Sequence, residues 1–164
     1  MRIMLSLVRD PPAQGGPNVY QPISAIRLSV WEDGELKAQQ IALGLDPAEK
    51  KKSIQAVADT LARSDVIPIA WDLRRDVWPS LCLLFVQYGC KFPKLMPLSK
   101  KWNEQYLCDL CTMVSQGGYD IDMSEKMTID YVLGGGNPNY KDDIETEHMY
   151  LWMLFNKYSE SLNE

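Results

Sequence analysis

Four acidic residues near the C-terminal end of the sequence have the side chains and the spacing that metal binding or acid–base chemistry requires. Asp142, Asp143, Glu145 and Glu147 stand close together at the start of a predicted helix. Asp143 and Glu147 are four residues apart and therefore share one face of that helix. Neighbouring carboxylates of this kind ligate hard divalent cations. The alternative is that the acids occupy a first helical turn because the helix dipole favours negative charge there.

A second charged group, Arg74-Arg75-Asp76, follows a short apolar segment. Asp76 has the chemistry of a metal ligand, but an acid at this place also caps a helix. The two arginines can hold a phosphate, or they are simply solvated. Trp71 precedes them, and its ring can stack on a base or pack in the core. The same alternatives apply to Trp78, Trp102 and Trp152.

The cysteines and the single histidine give little support to other chemistries. Cys108 and Cys111 have CxxC spacing, which zinc sites use in pairs of hooks. Cys82 and Cys90 stand eight residues apart in an apolar segment, so we interpret all four as buried free thiols. His148 has no partner of known geometry, so a hydrolase triad is not indicated. Asp109, inside the CxxC, is interpreted as a structural acid.

Composition predicts one globular domain spanning residues 1–164, with 46% hydrophobic and 24% charged residues. A net charge of −5 argues against coating nucleic acid through a global basic field, and it leaves room for a local basic groove. No apolar run approaches the ~18 residues of a membrane helix. The N-terminal segment is interpreted as a first strand rather than a secretion signal. We therefore expect a cytoplasmic protein without membrane contact.

The elements that must position these residues begin with three strands. Apolar or alternating runs predict strands at Ile3–Val8, Ile23–Trp31 and Leu36–Leu43. The proline-rich stretch Pro11–Pro22 is a predicted loop. Asp33-Gly34 predicts a hairpin turn between the second and third strands, because glycine accepts positive φ. The first quarter is therefore predicted to be an antiparallel meander.

The remaining sequence predicts helices alternating with strands. A helix starts at Asp46-Pro47 and buries Ile54, Val57 and Leu61 on one face. The later predicted elements are a fourth strand at Val66–Ala70, a helix at Trp78–Tyr88, a strand end or helix start at Tyr106–Leu110, a helix at Thr128–Leu133 stopped by Gly134, and a helix at Asp142–Tyr158. This order predicts an α/β fold, a ribonuclease H-like mixed five-stranded sheet flanked by helices.

Three stretches resemble the DnaQ-type 3′–5′ exonucleases, and within them the PolB-like predicted exonucleases. Ile67–Leu81, IPIAWDLRRDVWPSL, resembles the second motif of that family. Tyr106–Ser115, YLCDLCTMVS, resembles the segment in which an Asp-Leu pair opens a helix. Met127–Gly134, MTIDYVLG, followed by the acidic helix Asp142–Tyr158, resembles the closing motif region.

The resemblance implies hydrolysis at a 3′ end by water, with four carboxylates holding two Mg²⁺ or Mn²⁺ ions. Asp76 takes the acidic position of the second motif, and Glu145 best matches the metal-binding position of the last motif. Asp143 is a further candidate there. The first motif, Asp-x-Glu, has no counterpart at Leu5–Val8, and Asp10 is the nearest acid. Two of the four metal ligands, Asp76 and Glu145, can therefore be placed by resemblance.

The implied partner is single-stranded nucleic acid or a protein of nucleic-acid metabolism, contacted through Arg74, Arg75 and Trp71. Asp143-Ile144-Glu145-Thr146 spells the Asp-Ile-Glu-Thr of the family's first motif, but no buried strand precedes it, so we interpret that match as accidental. Three functions stay open: a metal-dependent exonuclease with a rearranged site, a degenerate exonuclease fold that binds without cleaving, and an acidic protein-interaction module. The oligomeric state is also open.

Overall fold

The computed structural model describes residues 1–10, 19–91, 107–115 and 123–162. Most of the predicted loop Pro11–Pro22, Trp102 and Tyr106 lie outside the described residues. The strands are β1 (Arg2–Arg9), β2 (Ile23–Glu32), β3 (Glu35–Ala42), β4 (Ile67–Ala70) and β5 (Cys108–Asp109). The helices are α1 (Pro47–Leu61), α2 (Trp78–Gln87), α3 (Leu110–Val114), α4 (Glu125–Leu133) and α5 (Ile144–Leu162).

The five strands form one mixed sheet in the order β3-β2-β1-β4-β5. β1 pairs antiparallel with β2 and parallel with β4, while β2–β3 is antiparallel and β4–β5 is parallel. Asp33 and Gly34 both have positive φ in the β2–β3 hairpin, as a type I′ turn requires. This arrangement confirms the predicted α/β, ribonuclease H-like fold class.

Helices cover both faces of the sheet and enclose two apolar clusters. α1 and α2 pack on one face over Leu5, Ile26 and other side chains that alternate along β1 and β2. α3, α4 and α5 pack on the opposite face, where Met4 and Ile69 meet Leu151 and Phe155. Because β1 is central and covered on both faces, apolar residues occur on both of its faces and not only at alternate positions.

Local capping moves the helix boundaries away from the predicted ones. α4 begins at Glu125, three residues before the predicted start, because Ser124 Oγ accepts from the amide of Met127 at 3.2 Å. α5 begins at Ile144 rather than Asp142, because Asp143 has extended backbone and acts as its cap. In the described part of the chain, no helix combines the length and apolar character needed to cross a membrane.

Gly134 ends α4 with a φ of 80°, in the left-handed region that costs an L side chain about 1 kcal/mol. We expect Gly134→Ala to lower the free energy of unfolding by about 1 kcal/mol, because the new Cβ is strained although space around it is open. Gly44→Ala is the matched control, since its Cβ also meets open space without positive φ. Urea unfolding followed by circular dichroism compares the two, and equal losses would contradict the conformational explanation.

Candidate functional site

Three of the four acids predicted to form a catalytic site lie exposed on the surface. Asp10 is exposed in the bend after β1, and Asp143 and Glu145 are exposed at the start of α5. The hydroxyl and the backbone amide of Thr146 donate to the carboxylate of Asp143 and hold its pKa below its ordinary value. Asp143 therefore acts as the N-terminal cap of α5.

Asp76, the fourth predicted acid, is paired with a buried arginine. It lies in the π-helical turn Leu73–Val77 between β4 and α2. Arg9 Nη2 donates to Asp76 Oδ1 at 2.7 Å and to Ser80 Oγ at 2.8 Å. Two positions before Arg9 on β1 is Leu7, so both side chains lie on the face of the sheet that α1 and α2 cover. The chain itself therefore supplies Asp76 with a cationic partner.

The turn after β4 carries the two arginines predicted to hold phosphate. Arg75 is exposed and pairs with Asp72 at 3.0 Å, while the backbone N–H of Arg74 donates to buried Asp109 at 3.0 Å. Asp72 has a φ of 52°, a conformation that Asp tolerates better than most L residues. Asp109 also accepts from the amide of Thr112 and so caps α3. Asp109 therefore has the structural role that the sequence favoured.

Trp71 and two of the cysteines belong to the core. Trp71, Cys108 and Cys111 are buried in the apolar cluster between the sheet and α5. All four cysteines are free, as predicted. Cys82 and Cys90 are half-buried, whereas the sequence predicted them to be buried. The CxxC segment spans the end of β5 and the start of α3. Its two thiols therefore pack in the apolar cluster between the sheet and α5.

A row of polar side chains crosses the sheet beneath α5. Ser6 of β1 lies directly opposite Arg27 of β2, and Arg27 lies directly opposite Gln40 of β3. Arg27 Nε donates to Gln40 Oε1 at 2.8 Å, and Arg27 Nη1 donates to the carbonyl oxygen of Lys141 at 2.7 Å. Ser29, two residues beyond Arg27 on β2, lies on the same face. Arg27, Ser6 and Ser29 are all buried.

Glu147 of α5 is the acid that meets this row. Its side chain is 4% exposed, and its Oε1 accepts from Ser6 Oγ and, at 3.2 Å, from Arg27 Nη1. Burial raises the pKa of Glu147, and the nearby Glu125 adds to this effect, while Ser6 and Arg27 oppose it. Burial of a carboxylate without a cation beside it would destabilise the folded state by several kcal/mol. The Arg27 guanidinium supplies that cation.

His148, the next residue, is fully buried and lies between two hydroxyls. Its Nδ1 contacts Ser29 Oγ, and its Nε2 lies 2.9 Å from Ser6 Oγ. Because the single hydroxyl proton of Ser6 goes to Glu147, we assign the ring proton to Nε2 of His148. Ser29 then donates to Nδ1 and accepts from Trp152 Nε1 at 3.0 Å. Burial, with Arg27 nearby, lowers the pKa of His148 to about 3, in agreement with a neutral ring.

This arrangement is a closed hydrogen-bonded chain and lacks the parts of a hydrolase. A nucleophilic serine needs an exposed hydroxyl and a histidine oriented by a carboxylate. Here Ser6 is buried, it donates to Glu147 instead of to the imidazole, and a second serine stands at the far side of the ring. This series of hydrogen bonds instead joins α5 to β1 and β2, and each polar side chain described in it has a hydrogen-bonding partner.

One sequence signal does point to this centre. Glu147 and His148 fall on the same helical stripe as Ile144, Leu151 and Phe155, a stripe that α5 turns towards the sheet. Two adjacent polar residues inside an apolar stripe are a departure from amphipathic patterning. The sequence interpretation did not use this signal and assigned the metal-binding position to Glu145, two residues earlier.

The carboxylates do not fit a centre for two divalent ions. Such a centre needs several acidic ligands around a shared point. Among residues 1–10, 19–91, 107–115 and 123–162, no group of three or more His, Cys, Asp or Glu side chains could hold an ion. Asp76 and Glu147 are each paired with an arginine. No hydrolytic step through Mg²⁺ or Mn²⁺ follows from this arrangement.

No protein-family model matches this sequence, and no curated protein matches it either. The likeness to 3′–5′ exonucleases therefore stays a prediction from short motifs.

Replacing Glu147 tests whether the buried pair holds α5. We expect Glu147→Gln to lower the free energy of unfolding by about 3 kcal/mol, because it leaves the Arg27 charge buried without a partner. Glu145→Gln, at an exposed position two residues away on the same helix, should change it by less than about 0.5 kcal/mol. Urea unfolding measures both changes, and equal changes would contradict a structural role for the Arg27–Glu147 pair.

His148 should make stability depend on pH below neutrality. The ring is neutral when folded, with a pKa of about 3, but titrates near 6.5 when unfolded. Between these values the unfolded chain binds a proton that the folded chain does not. Stability should therefore fall as pH drops through this window, by up to about 1.4 kcal/mol per pH unit.

The matched variant for this pH dependence is His148→Gln, which keeps a hydrogen-bonding side chain without titration. Glu147 titrates in the opposite sense and is present in both proteins, so the difference between the two unfolding curves isolates the histidine. Urea unfolding from pH 7 to pH 4 measures it. If the two proteins lose stability in parallel, His148 is not the responsible group.

Proposed function

We propose that this chain is a catalytically degenerate relative of the 3′–5′ exonucleases that binds single-stranded nucleic acid without hydrolysing it. The observation that carries the proposal is the pairing of Asp76 with Arg9, at 2.7 Å, in the segment that resembles the second exonuclease motif. An acid whose charge is balanced by a buried guanidinium is a poor ligand for a divalent cation. The fold class supports the nucleic-acid context by analogy alone.

Cationic side chains are concentrated at the end of the sheet where this acid lies. Arg74 and Arg75 stand in the turn after β4, and Lys141 stands just before α5. Lys141 is close enough to Asp76 and Glu147 to interact with both charges. The side chains of Arg75 and Lys141 are 45% and 60% exposed and lie in ion pairs with Asp72 and Glu125. A phosphate backbone can compete for surface arginines and lysines of this kind.

A second function, a protein-interaction module, is supported by the outer face of α4. Met127 and Tyr131 are four residues apart and therefore share this face, and they are 71% and 91% exposed. Large exposed apolar and aromatic side chains of this kind are typical of interface anchors. The net charge of −5 is also compatible with a protein partner.

The two functions differ in salt dependence, which gives the decisive experiment. We expect labelled single-stranded DNA or RNA to bind and to stay full-length in Mg²⁺ or Mn²⁺. The double variant Arg75→Ala, Lys141→Ala should weaken binding and reduce the slope of log K against log[salt] by about 1.4, at ~0.7 for each lost phosphate contact. Fluorescence anisotropy measures the affinity, and denaturing gels follow the length of the strand.

The matched control is Arg63→Ala, Lys37→Ala, which removes two comparably exposed cations from surface ion pairs elsewhere. It should leave binding unchanged. Shortening of the 3′ end that disappears in Asp76→Ala would establish a nuclease and overturn the proposal. Absence of binding at low salt would instead favour the α4 face, to be tested by Tyr131→Ala in a pull-down.

A further inference from the structure

The Arg27 guanidinium is held in place by acceptors from three separate elements. Its nitrogens donate to Gln40 Oε1 on β3, to the carbonyl oxygen of Lys141 before α5, and to Glu147 Oε1 on α5, at 2.8, 2.7 and 3.2 Å. The side chains of Arg27 and Glu147 are 6% and 4% exposed. The position of this positive charge is therefore fixed by the fold, and water has little access to the pair.

A divalent cation at this centre would meet Glu147 as its carboxylate ligand, beside a fixed guanidinium. Ions such as Mg²⁺ and Mn²⁺ prefer several oxygen ligands, with carboxylates to balance their charge. Repulsion between the two cations is strong in a poorly hydrated interior. Arg27 and a divalent ion are therefore alternatives at this position.

We infer that Arg27 is a built-in substitute for a divalent cation, which ties α5 to the sheet and closes this centre to metal ions. Removal of the guanidinium together with addition of a second carboxylate should open it. This inference is independent of the proposed binding to nucleic acid, because it concerns only the junction between α5 and the sheet.

The structure indicates where the second carboxylate belongs. Ser6 lies directly opposite Arg27 in the β1–β2 pairing, and its hydroxyl donates to Glu147 Oε1. An acidic side chain at position 6 would therefore lie beside the Glu147 carboxylate and next to the position of Arg27. Position 6 belongs to β1, the central strand, and its backbone is fixed by the pairing with Arg27 of β2.

Thermal unfolding in EDTA and in millimolar MnCl₂ tests the inference. The melting temperature of the wild-type chain should be the same in both. The variant Ser6→Asp, Arg27→Gln should melt about 3 °C higher or more in Mn²⁺, since a ligand that binds only the folded state stabilises it. The control Ser6→Asn, Arg27→Gln has a similar shape without the carboxylate and should not respond.

Two results would overturn the inference. One is a Mn²⁺-dependent rise in the wild-type melting temperature that Glu147→Gln abolishes, because a cation would then bind beside Arg27. The other is a folded Ser6→Asp, Arg27→Gln variant that shows no response to Mn²⁺.

A double-mutant cycle covers the case in which that variant does not fold. If Arg27 acts by its charge, Arg27→Gln strands a buried carboxylate, and adding Glu147→Gln should raise the melting temperature again. A double variant that melts no higher than Arg27→Gln alone would overturn the inference. The melting temperatures in this cycle are measured without Mn²⁺.

Discussion

The ion pair between Arg27 and Glu147 is the interaction on which the rest of the α5 face depends. Glu147 is buried under a helix that also supplies Leu151, Trp152 and Phe155 to the core. Without a cation, the carboxylate would oppose that packing, since an isolated buried charge is expensive. The guanidinium, fixed by the register of β1, β2 and β3, allows α5 to lie flat against a sheet whose face is partly polar.

A hydrogen-bonded chain extends this pair into a specific arrangement. The hydrogen bonds all run in one direction towards Glu147. Trp152 donates to Ser29, Ser29 to His148, His148 to Ser6, and Ser6 to Glu147. Such a chain has one satisfied proton arrangement with a neutral histidine, so it favours one position of α5 over shifted alternatives. Arg9 and Asp76 repeat the same principle at the start of α2, where an acid is neutralised by an arginine from β1. Two of the acids that suggest catalysis in the sequence thus stabilise the fold, Asp76 through Arg9 and Asp143 as the cap of α5.

Secondary structure followed from local patterns in most of the chain. Alternation in β2, the Asp33-Gly34 turn and the Asp46-Pro47 helix start each depend on residues a few positions apart, and each element forms where predicted. Boundaries moved where a cap decided them, as with Ser124 before α4 and Asp143 before α5. Capping depends on the conformation of one residue, which periodicity alone does not specify.

The candidate site shows the limit of such local reasoning. The sequence by itself determined the α/β class, the order of the elements and the presence of acids near α5, because periodicity and turn chemistry are encoded within short segments. Only the tertiary structure decided which acid is buried and what faces it, because Ser6 and Glu147 are 141 residues apart and Arg27 and Glu147 are 120 apart. Strand register brings Ser6 beside Arg27, and helix packing brings Glu147 onto both. Contacts of that kind are set by the fold as a whole, so the resemblance to a short motif singled out Glu145 while packing selected Glu147.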